Sequence, residues 1–195
     1  MYSRLVGSEM CIRDRLSILR IWEGGLSFHG GFIGVLISFF IFSKKLNIGF
    51  FDLADHIALA FPIGLGFVRI GNFLGGELLG RPTDLPWGMI FWSDPLQISR
   101  HPSQLYQAFF EGVVLFIILN LLVIKPKPKI FISGMFLALY GSFRIFTEIF
   151  RMPDSHIGFD FLDIITRGQL LSTPMVIIGL LLIFLSYRNK NETIS

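Results

Sequence analysis

IALAFPIGLGFVRIGNF, residues 57–73, is an apolar run whose single charged residue is Arg69. A second run, FISGMFLALYGSFRIFTEIF at 131–150, contains Arg144 and Glu148. Each run approaches the roughly 20 apolar residues that a helix needs to cross a bilayer. A guanidinium inside such a helix costs about 2.5 to 3.5 kcal/mol even on mild insertion scales, so it persists only with a partner or a function. The two runs therefore predict membrane helices that carry a buried polar site.

The composition places the whole chain among integral membrane proteins. Of the 195 residues, 52% are hydrophobic and 22 are Phe, and the mean hydropathy is +0.64. No segment alternates apolar and polar residues as the strands of a membrane barrel do. A lipid-exposed span must satisfy its own backbone hydrogen bonds, which leaves helices as the remaining solution. We predict an all-α fold, a polytopic transmembrane helical bundle.

Five segments have the length and apolar character of membrane helices. They run near 27–43, 53–72, 105–124, 130–150 and 169–187, with a long polar loop from about 73 to 104. If the helices alternate in direction, one side of the membrane receives the basic residues Lys44, Lys45, Lys125, Lys127, Lys129, Arg188 and Lys190. The positive-inside rule makes that side the cytoplasm. The long loop is then expected on the outer face and the C terminus in the cytoplasm.

Several ligand classes find no support in the sequence. A net charge of +3, spread over the chain, does not indicate nucleic acid as a partner. Cys11 is the only cysteine, so the chain forms no internal disulfide. The histidines lie in separate segments without the close ligand pairs of a zinc site, and no Gly-rich loop precedes a GK[ST] sequence. We predict neither a metal nor a cofactor.

The predicted orientation brings polar residues to one membrane face. At 1.5 Å per residue, Arg69 and Arg144 each lie roughly 22 to 24 Å from the cytoplasmic end of their helices. His29 begins the first helix from the same side, and Glu77 belongs to the outer loop. Convergence of these groups at one depth indicates a binding or catalytic site.

Local spacing adds neighbours to each arginine. Asn72 follows Arg69 by three residues, while Glu148 and Arg151 follow Arg144 by four and by seven, so each set shares a helical face. A purely structural reading stays open: Arg144 and Glu148 form an intrahelical ion pair, and Arg69 and Arg151 extend towards the lipid headgroups.

Five motifs together resemble one family. They are SFHGG at 27–31, RIGNFLGGELLGR at 69–81, RHPSQLYQAFFEG at 100–112, GSFRIFTEIFRMPD at 141–154 and RGQLLSTPM at 167–175. In this order they resemble bacterial prolipoprotein diacylglyceryl transferase, over most of residues 24–185. A single HGG or GNF would carry little weight, whereas the ordered set is specific.

The resemblance implies a multi-pass enzyme of the bacterial inner membrane, with its site towards the periplasmic face. Its substrates would be phosphatidylglycerol and the lipobox cysteine of a preprolipoprotein signal peptide. The enzyme would transfer the diacylglyceryl group to the thiol and release glycerol 1-phosphate, the first step of lipoprotein maturation. The residues agree with this chemistry, because a guanidinium supplies the forked donors that suit a phosphodiester.

The resemblance also assigns roles to residues. Arg69 and Arg144 would clamp the phosphate and stabilise the charge that develops on it. His29 would remove the thiol proton, since its ordinary pKa near 6.5 suits a general base, although a capping or packing histidine remains the alternative. Glu77 and Glu148 would orient the arginines or the glycerol hydroxyls. The remaining expected substrate-binding residues are Asn72, Gln104, Tyr106 and Arg151.

The chain departs from the family pattern in two places. Gly75 stands where the family has Asn, which removes one expected headgroup contact. The family has seven membrane helices, and two of them precede the FHGG segment. Residues 1–15, MYSRLVGSEMCIRDR, resemble no such helix and read as translated adapter sequence, an atypical head. We therefore expect residues 16–195 to form a single transferase domain that lacks its first two helices and has weak or no activity.

Two other functions remain open at this stage. A membrane transporter also carries buried Arg and Glu, but no internal repeat or pair of interrupted helices is visible. A non-catalytic phospholipid-binding protein would use the same arginines to hold anionic headgroups without turnover.

Overall fold

The computed structural model describes residues 28–152 and 166–192, and the side chains of 28–32, 167 and 189–192 lie outside the described residues. Residues 1–48 and 49–195 form two compact units, and each is described by itself. The first contains helix α1, Phe28–Leu46. The predicted head, residues 1–15, lies outside the described residues.

The second unit is built from helices, with one small hairpin. Helix α2 spans Phe50–Leu74. A rod follows from three consecutive segments: helix α3 at Ser103–Gln107, a π-helical segment at Ala108–Val114 and helix α4 at Leu115–Val123. Helices α5, Phe131–Glu148, and α6, Arg167–Glu192, complete it. The prediction of an all-helical bundle is thus confirmed, with a helix at each of the five predicted positions.

Three helices are long and apolar enough to cross a membrane, among the residues that the structure describes. They span Phe50–Leu74, Ser103–Val123 and Gly168–Arg188. Helix α5 falls outside this set although the sequence predicts a span there. It carries Arg144 and Glu148, which lower its hydropathy, and it buries Gly134, Ala138 and Gly141 against its neighbours. The hydrophobic residues exposed on all these helices identify a membrane protein.

The core of the second unit lies where α2, α4 and α5 meet. Leu115 and Leu119 of α4 are fully buried and pack with Ala58 of α2 and with Phe131 and Ile132 of α5. At the same end, Asp55 of α2 accepts hydrogen bonds from the backbone N–H groups of Ile130 and Ser133, both 2.8 Å long. These bonds satisfy donors that every helix leaves open at its N terminus, so α2 caps α5.

Glycines allow close helix contacts. A Cβ on Gly179 of α6 would lie 2.5 Å from the Ala138 nitrogen of α5, and one on Gly112 would lie 2.8 Å from Gly66 Cα of α2. Backbones can approach this closely only where no side chain intervenes, which is the usual way in which membrane helices pack. The two contacts join α5 to α6 and α2 to the rod.

The predicted outer loop is an ordered cap rather than a simple connection. Strand β1, Met89–Ile90, pairs antiparallel with β2, Ser99–Arg100. The loop backbone is also joined to the end of α5, where Arg81 N donates to Phe150 O at 2.9 Å and Met152 N donates to Leu79 O at 3.0 Å. These bonds hold residues 79–81 beside the C-terminal end of α5.

A buried ion pair organises the hairpin. The Arg100 guanidinium donates two hydrogen bonds to the Asp94 carboxylate, from Nε at 2.8 Å and Nη2 at 3.0 Å, and each residue is only 2% exposed. The bonds from Arg100 outweigh the desolvation of the carboxylate and, with the backbone N–H groups of Leu96 and Ile98, lower the pKa of Asp94 from 3.8 to about 2.

Candidate active site

Arg69 meets a carboxylate that comes from another helix. Its Nε and Nη2 atoms both donate to Glu111 Oε2 at 3.1 Å. Glu111 belongs to the π-helical segment and is fully buried. The Arg69 side chain is 12% exposed. A guanidinium within an apolar helix therefore has the buried partner that its position requires.

The same carboxylate serves Arg144. Arg144 Nη1 lies 3.6 Å from Glu111 Oε1, and Thr147 Oγ1 donates to that oxygen at 3.3 Å. The other end of the guanidinium faces Glu148, with Nη2 3.3 Å from Oε2. Arg151 Nη1 lies 3.6 Å from the second oxygen of Glu148. We call Arg69, Glu111, Arg144, Glu148 and Arg151 the arginine–glutamate cluster.

The cluster contains more guanidinium groups than carboxylates. Arg69, Arg144 and Arg151 face Glu111 and Glu148. Among the described residues, Arg144 Nη1 and Glu148 Oε2 are buried atoms without a hydrogen bond. A buried donor without a hydrogen bond is costly, and an anionic ligand would accept one from it. The cluster is therefore suited to hold one anionic group.

Small residues explain how the cluster assembles. Gly66 of α2 touches Gly112 of the rod, so these two backbones are in contact. Arg69 lies one helical turn beyond Gly66, and Glu111 directly precedes Gly112. The close approach thus brings the two side chains within reach of each other. The π-helical segment that contains Glu111 is a rare conformation that is frequently found at functional sites.

A third glycine makes room for Glu148. A Cβ on Gly168, at the start of α6, would lie 2.6 Å from the Glu148 carboxyl carbon. Any larger residue there would push Glu148 away from Arg144. The glycine in the RGQ motif therefore has a structural reason, which is to let α6 pack against the cluster.

Gln104 and Tyr106 were predicted as substrate-binding residues and lie beside the outer loop. Gln104 Nε2 donates to Glu77 O at 2.5 Å, and Tyr106 OH accepts a hydrogen bond from Trp87 Nε1 at 2.9 Å. The Gln104 side chain is fully buried, and its Oε1 has no hydrogen-bond partner among the described residues. These side chains join the start of the rod to the loop.

Glu77 and Asn72 lie where α2 passes into the outer loop. Glu77 is exposed, and its carboxylate forms no ion pair with any described residue, whereas Glu111 holds Arg69 and contacts Arg144. Glu111 contacts the arginines from inside the bundle, and the expected role of Glu77, to orient the arginines or the glycerol hydroxyls, stays a prediction. Asn72 is half-buried, and its backbone carbonyl accepts from Glu77 N at 2.9 Å.

His29 lies in the first turn of α1, and its side chain lies outside the described residues. Its expected role as general base therefore remains a prediction. Among the described residues, no group of three His, Cys, Asp or Glu side chains is arranged to hold a metal ion.

Three residues that the sequence reasoning missed belong to this region. Glu111 is the centre of the cluster, and it was visible as the one acidic residue of the run LYQAFFEGVVLFIILN. The Tyr140 hydroxyl lies within electrostatic reach of Glu111, Arg144 and Arg69. Gln107 is 1% exposed, and neither its Nε2 nor its Oε1 has a hydrogen-bond partner among the described residues. A glutamine and a tyrosine in apolar runs give weak signals, so only the fold reveals them.

The chain is similar to named proteins over most of its length. The sequence model of the family described as prolipoprotein diacylglyceryl transferase matches residues 2–185. A phosphatidylglycerol–prolipoprotein diacylglyceryl transferase of Pseudomonas syringae pv. syringae (strain B728a) is 52% identical over 179 residues, which cover 91% of this chain and 66% of the relative. A protein of the same name from Marinomonas sp. (strain MWYL1) is 55% identical over 168 residues, 86% of this chain and 62% of the relative.

A third relative of that name, from Teredinibacter turnerae, is 52% identical over 176 residues, which are 90% of this chain and 61% of its own length. The chain therefore spans somewhat less than two thirds of the curated relatives it matches. The family match nevertheless covers nearly all of it, including every member of the arginine–glutamate cluster. The chain belongs to the prolipoprotein diacylglyceryl transferase family.

Proposed function

We propose that the arginine–glutamate cluster is the phosphate-binding part of a diacylglyceryl transferase site. The reaction would move the diacylglyceryl group of phosphatidylglycerol to the lipobox cysteine of a preprolipoprotein. The observation that carries this proposal is the pair of Arg69 and Arg144 on one fully buried carboxylate, Glu111. Paired guanidinium groups offer the forked donors that suit an anionic phosphodiester headgroup.

The chemistry makes a specific demand on this site. The cysteine thiolate attacks a carbon of the glyceryl unit and forms a thioether, while the carbon–oxygen bond to the phosphate breaks. The bonding electrons go to the phosphate oxygen, so the leaving glycerol 1-phosphate is more negative than the phosphodiester. Donors that strengthen their bonds as this charge develops accelerate the step. Arg144 Nη1, which has no hydrogen bond to a described residue, is the candidate donor.

Glu111 would act as a positioning residue. It holds Arg69 through two donors and lies 3.6 Å from Arg144, so both guanidinium groups keep a fixed separation. Preorganised charges of this kind need no rearrangement when the transition state forms. Glu148 would do the same from the other side, between Arg144 and Arg151.

The thiol proton needs a separate acceptor, because Glu111 and Glu148 are occupied by arginines. We assign this role to His29, as the family resemblance implies. A neutral imidazole takes a proton near neutral pH, which suits a thiol nucleophile. The hydroxyl groups of the headgroup would hydrogen-bond with side-chain amides. Gln104 Oε1 and both amide atoms of Gln107 are buried and have no hydrogen bond to a described residue.

The proposed setting is the bacterial inner membrane, with the cluster towards the outer face. Arg69 and Arg144 lie near the ends of α2 and α5 that adjoin the hairpin, while Lys125, Lys127 and Lys129 follow the opposite end of the rod. This charge asymmetry supports a cytoplasmic location for the lysines and for the C terminus.

The test is transfer of labelled diacylglyceryl from phosphatidylglycerol to a lipobox peptide. The 195-residue chain is compared with a chain extended at its N terminus by the two helices that the family resemblance implies. We expect transfer by the extended chain and weak or no transfer by the shorter one. Transfer by neither chain, with phosphatidylglycerol still bound, would favour the non-catalytic lipid-binding alternative.

Arginine variants of the extended chain test the clamp. Arg69→Lys and Arg144→Lys should each lose most of the transfer rate, because an ammonium keeps the charge but not the forked donors. Arg188→Lys, at the far end of α6, is the matched control and should keep the parent rate. Near-parent turnover by both cluster variants would reject phosphate binding by paired guanidinium groups.

A further inference from the structure

The outer hairpin presents an apolar surface. Between residues 85 and 98 the exposed large hydrophobic side chains are Leu85, Trp87, Met89, Ile90, Trp92, Leu96 and Ile98. Trp92, Leu96 and Ile90 are the most exposed, at 76, 66 and 64%. We call these seven side chains the hairpin surface. Large apolar side chains exposed together in one short loop often mark a contact with a membrane or another protein.

The hairpin surface carries no exposed charge. Asp94 is the only charged residue between 85 and 98, and it is buried in its ion pair with Arg100. The pair is bidentate, so both carboxylate oxygens already have charged donors. A loop that faces water usually exposes charged side chains, whereas the single acidic residue of this loop is buried. Charge-free exposure favours a medium in which an exposed ion would be costly.

The apolar residues do not form one flat face. Met89 and Ile90 are adjacent in β1, so their side chains point to opposite sides of the strand, and both are exposed. A partner protein that docks on one side would leave the other side in water. Apolar residues on both sides instead fit immersion in a surrounding medium, which is the situation of a loop inserted among lipids.

The hairpin is continuous with helices that cross the membrane. Its loop leaves α2 after Leu74 and returns to the rod at Ser103, and both helices are long and apolar enough to span a bilayer. Phe91, which is buried, packs edge-to-face on Phe73 of α2 with ring centroids 5.9 Å apart. This contact holds the hairpin at the end of α2, where the hydrocarbon core gives way to the headgroups.

We propose that the hairpin surface inserts into the headgroup layer of the leaflet beside the cluster and anchors the outer loop there. Tryptophan suits this layer, because its ring is apolar while its N–H can reach a polar partner. Trp87 donates to Tyr106, whereas the Trp92 N–H donates to no described residue and is the group that would bond to lipid.

The anchor has a direct link to the cluster. Gly80 pairs with Arg151 in an antiparallel bridge, and Arg81 Nε donates to Arg151 O at 3.1 Å. Arg151 in turn faces Glu148. A hairpin held at the membrane surface therefore restrains the backbone of one end of the cluster, so lipid contact stabilises the arrangement of the cluster.

Depth-dependent fluorescence quenching tests the proposal. Trp22 and Trp87 are replaced by Phe, which leaves Trp92 as the single tryptophan, and the full chain is reconstituted into phosphatidylglycerol-containing vesicles. Lipids brominated near the headgroup, lipids brominated deep in the chain and aqueous acrylamide are then compared as quenchers. We expect strong quenching by the shallow bromines, less by the deep bromines and little by acrylamide.

Two results would overturn the proposal. Strong acrylamide quenching without bromine quenching would place Trp92 in water. Protection from all three quenchers would mean that protein covers the hairpin, either a second copy or a substrate peptide. If the single-tryptophan chain does not fold, Leu96→Cys in a Cys11→Ser chain, labelled with a polarity-sensitive dye, gives the same discrimination. If the dye has the same emission spectrum on the chain in vesicles as on a labelled peptide in detergent-free buffer, the result contradicts insertion.

Discussion

At the scale of single residues, Glu111 has the greatest influence on the site. It is the only acid that contacts both Arg69 and Arg144 among the described residues, and water does not reach it. A buried charge in this position affects stability as well as function. Each residue of the arginine–glutamate cluster needs the others as charge partners to remain ionised inside the bundle. Function and stability are therefore coupled at this residue.

Replacing Glu111 by Gln tests that coupling. The change keeps the size of the side chain but leaves two guanidinium groups without their shared counter-charge, which should cost about 3 to 5 kcal/mol of stability. The midpoint of thermal unfolding in detergent should fall accordingly. Glu77→Gln is the control and should unfold like the parent, because the Glu77 carboxylate is exposed. Equal midpoints for the parent and Glu111→Gln would contradict this account of the cluster.

The residue scale also shows the reach of sequence reasoning. The sequence predicted that Arg69 and Arg144 converge and that Glu148 and Arg151 share the helical face of Arg144, and the structure brings these four together. Spacing within α5 placed Arg144 and Glu148 on one face, and Arg151 follows three residues after the helix ends. Glu111 comes from a distant segment, and its contact with Arg69 depends on the Gly66–Gly112 approach, which local spacing does not encode.

At the scale of elements, glycine contacts decide how closely helices pack. Gly179→Ala should destabilise the α5–α6 pair by about 1 to 3 kcal/mol, since the new Cβ would lie 2.5 Å from the Ala138 backbone nitrogen. Gly64→Ala in α2 is the matched control, because nothing lies within 4 Å of its Cβ position. That change should be neutral or slightly stabilising, as Ala favours helix over Gly. Thermal unfolding of both variants measures the difference.

Two other outcomes of this comparison would contradict these expectations. If both alanine variants unfold alike, the α5–α6 helices must separate at little cost, and the tight packing described here would be wrong. If only Gly64→Ala is destabilised, the exposed side of α2 must be covered in the membrane by another chain.

The hairpin gives a prediction about pH. The pKa of Asp94 is lowered from 3.8 to about 2, so the carboxylate binds protons more readily in the unfolded loop than in the folded one. The stabilisation is therefore complete above pH 3.8 and is lost as the pH falls from 3.8 through about 2. Pepsin, which acts in acid, should cleave residues 75–102 much faster at pH 2 than at pH 4.

Asp94→Asn separates this effect from the pH dependence of pepsin itself. The variant lacks the titrating group and the ion pair with Arg100, so its loop should be cleaved quickly at both pH values. A parent loop that is equally resistant at both pH values would show that the Asp94–Arg100 pair does not hold the hairpin.

At the scale of the whole molecule, the chain has two chemically different ends. One end carries the hairpin and the cluster. The other end carries the lysine-rich connection between α4 and α5, where Lys129 Nζ lies 2.9 Å from Asp52 Oδ2. Because α2 and the rod between them are long enough to span a membrane, the proposed topology puts these ends on opposite sides. This arrangement makes the sidedness of the protein measurable.

Cysteine labelling tests the sidedness. In a Cys11→Ser chain, Lys127→Cys should react with a membrane-impermeant maleimide only from the cytoplasmic side, and Asp84→Cys only from the outer side. Right-side-out and inverted membrane vesicles give the two accesses. The opposite pattern would reverse the proposed topology, and labelling of both positions from one side would contradict a membrane-spanning rod, which lies between them in the chain.

The sequence by itself determined the class of the molecule and the positions of its helices. It also identified four residues of the cluster, Arg69, Arg144, Glu148 and Arg151, from their place in or beside apolar helical segments. It could do so because hydropathy and i, i+4 spacing are local properties of the chain. The tertiary structure alone decided that Glu111 contacts both Arg69 and Arg144, that the Glu77 carboxylate contacts neither of them, and that Asp94 is buried inside an apolar hairpin. These outcomes depend on which backbones approach each other, and that is set by packing between segments far apart in sequence.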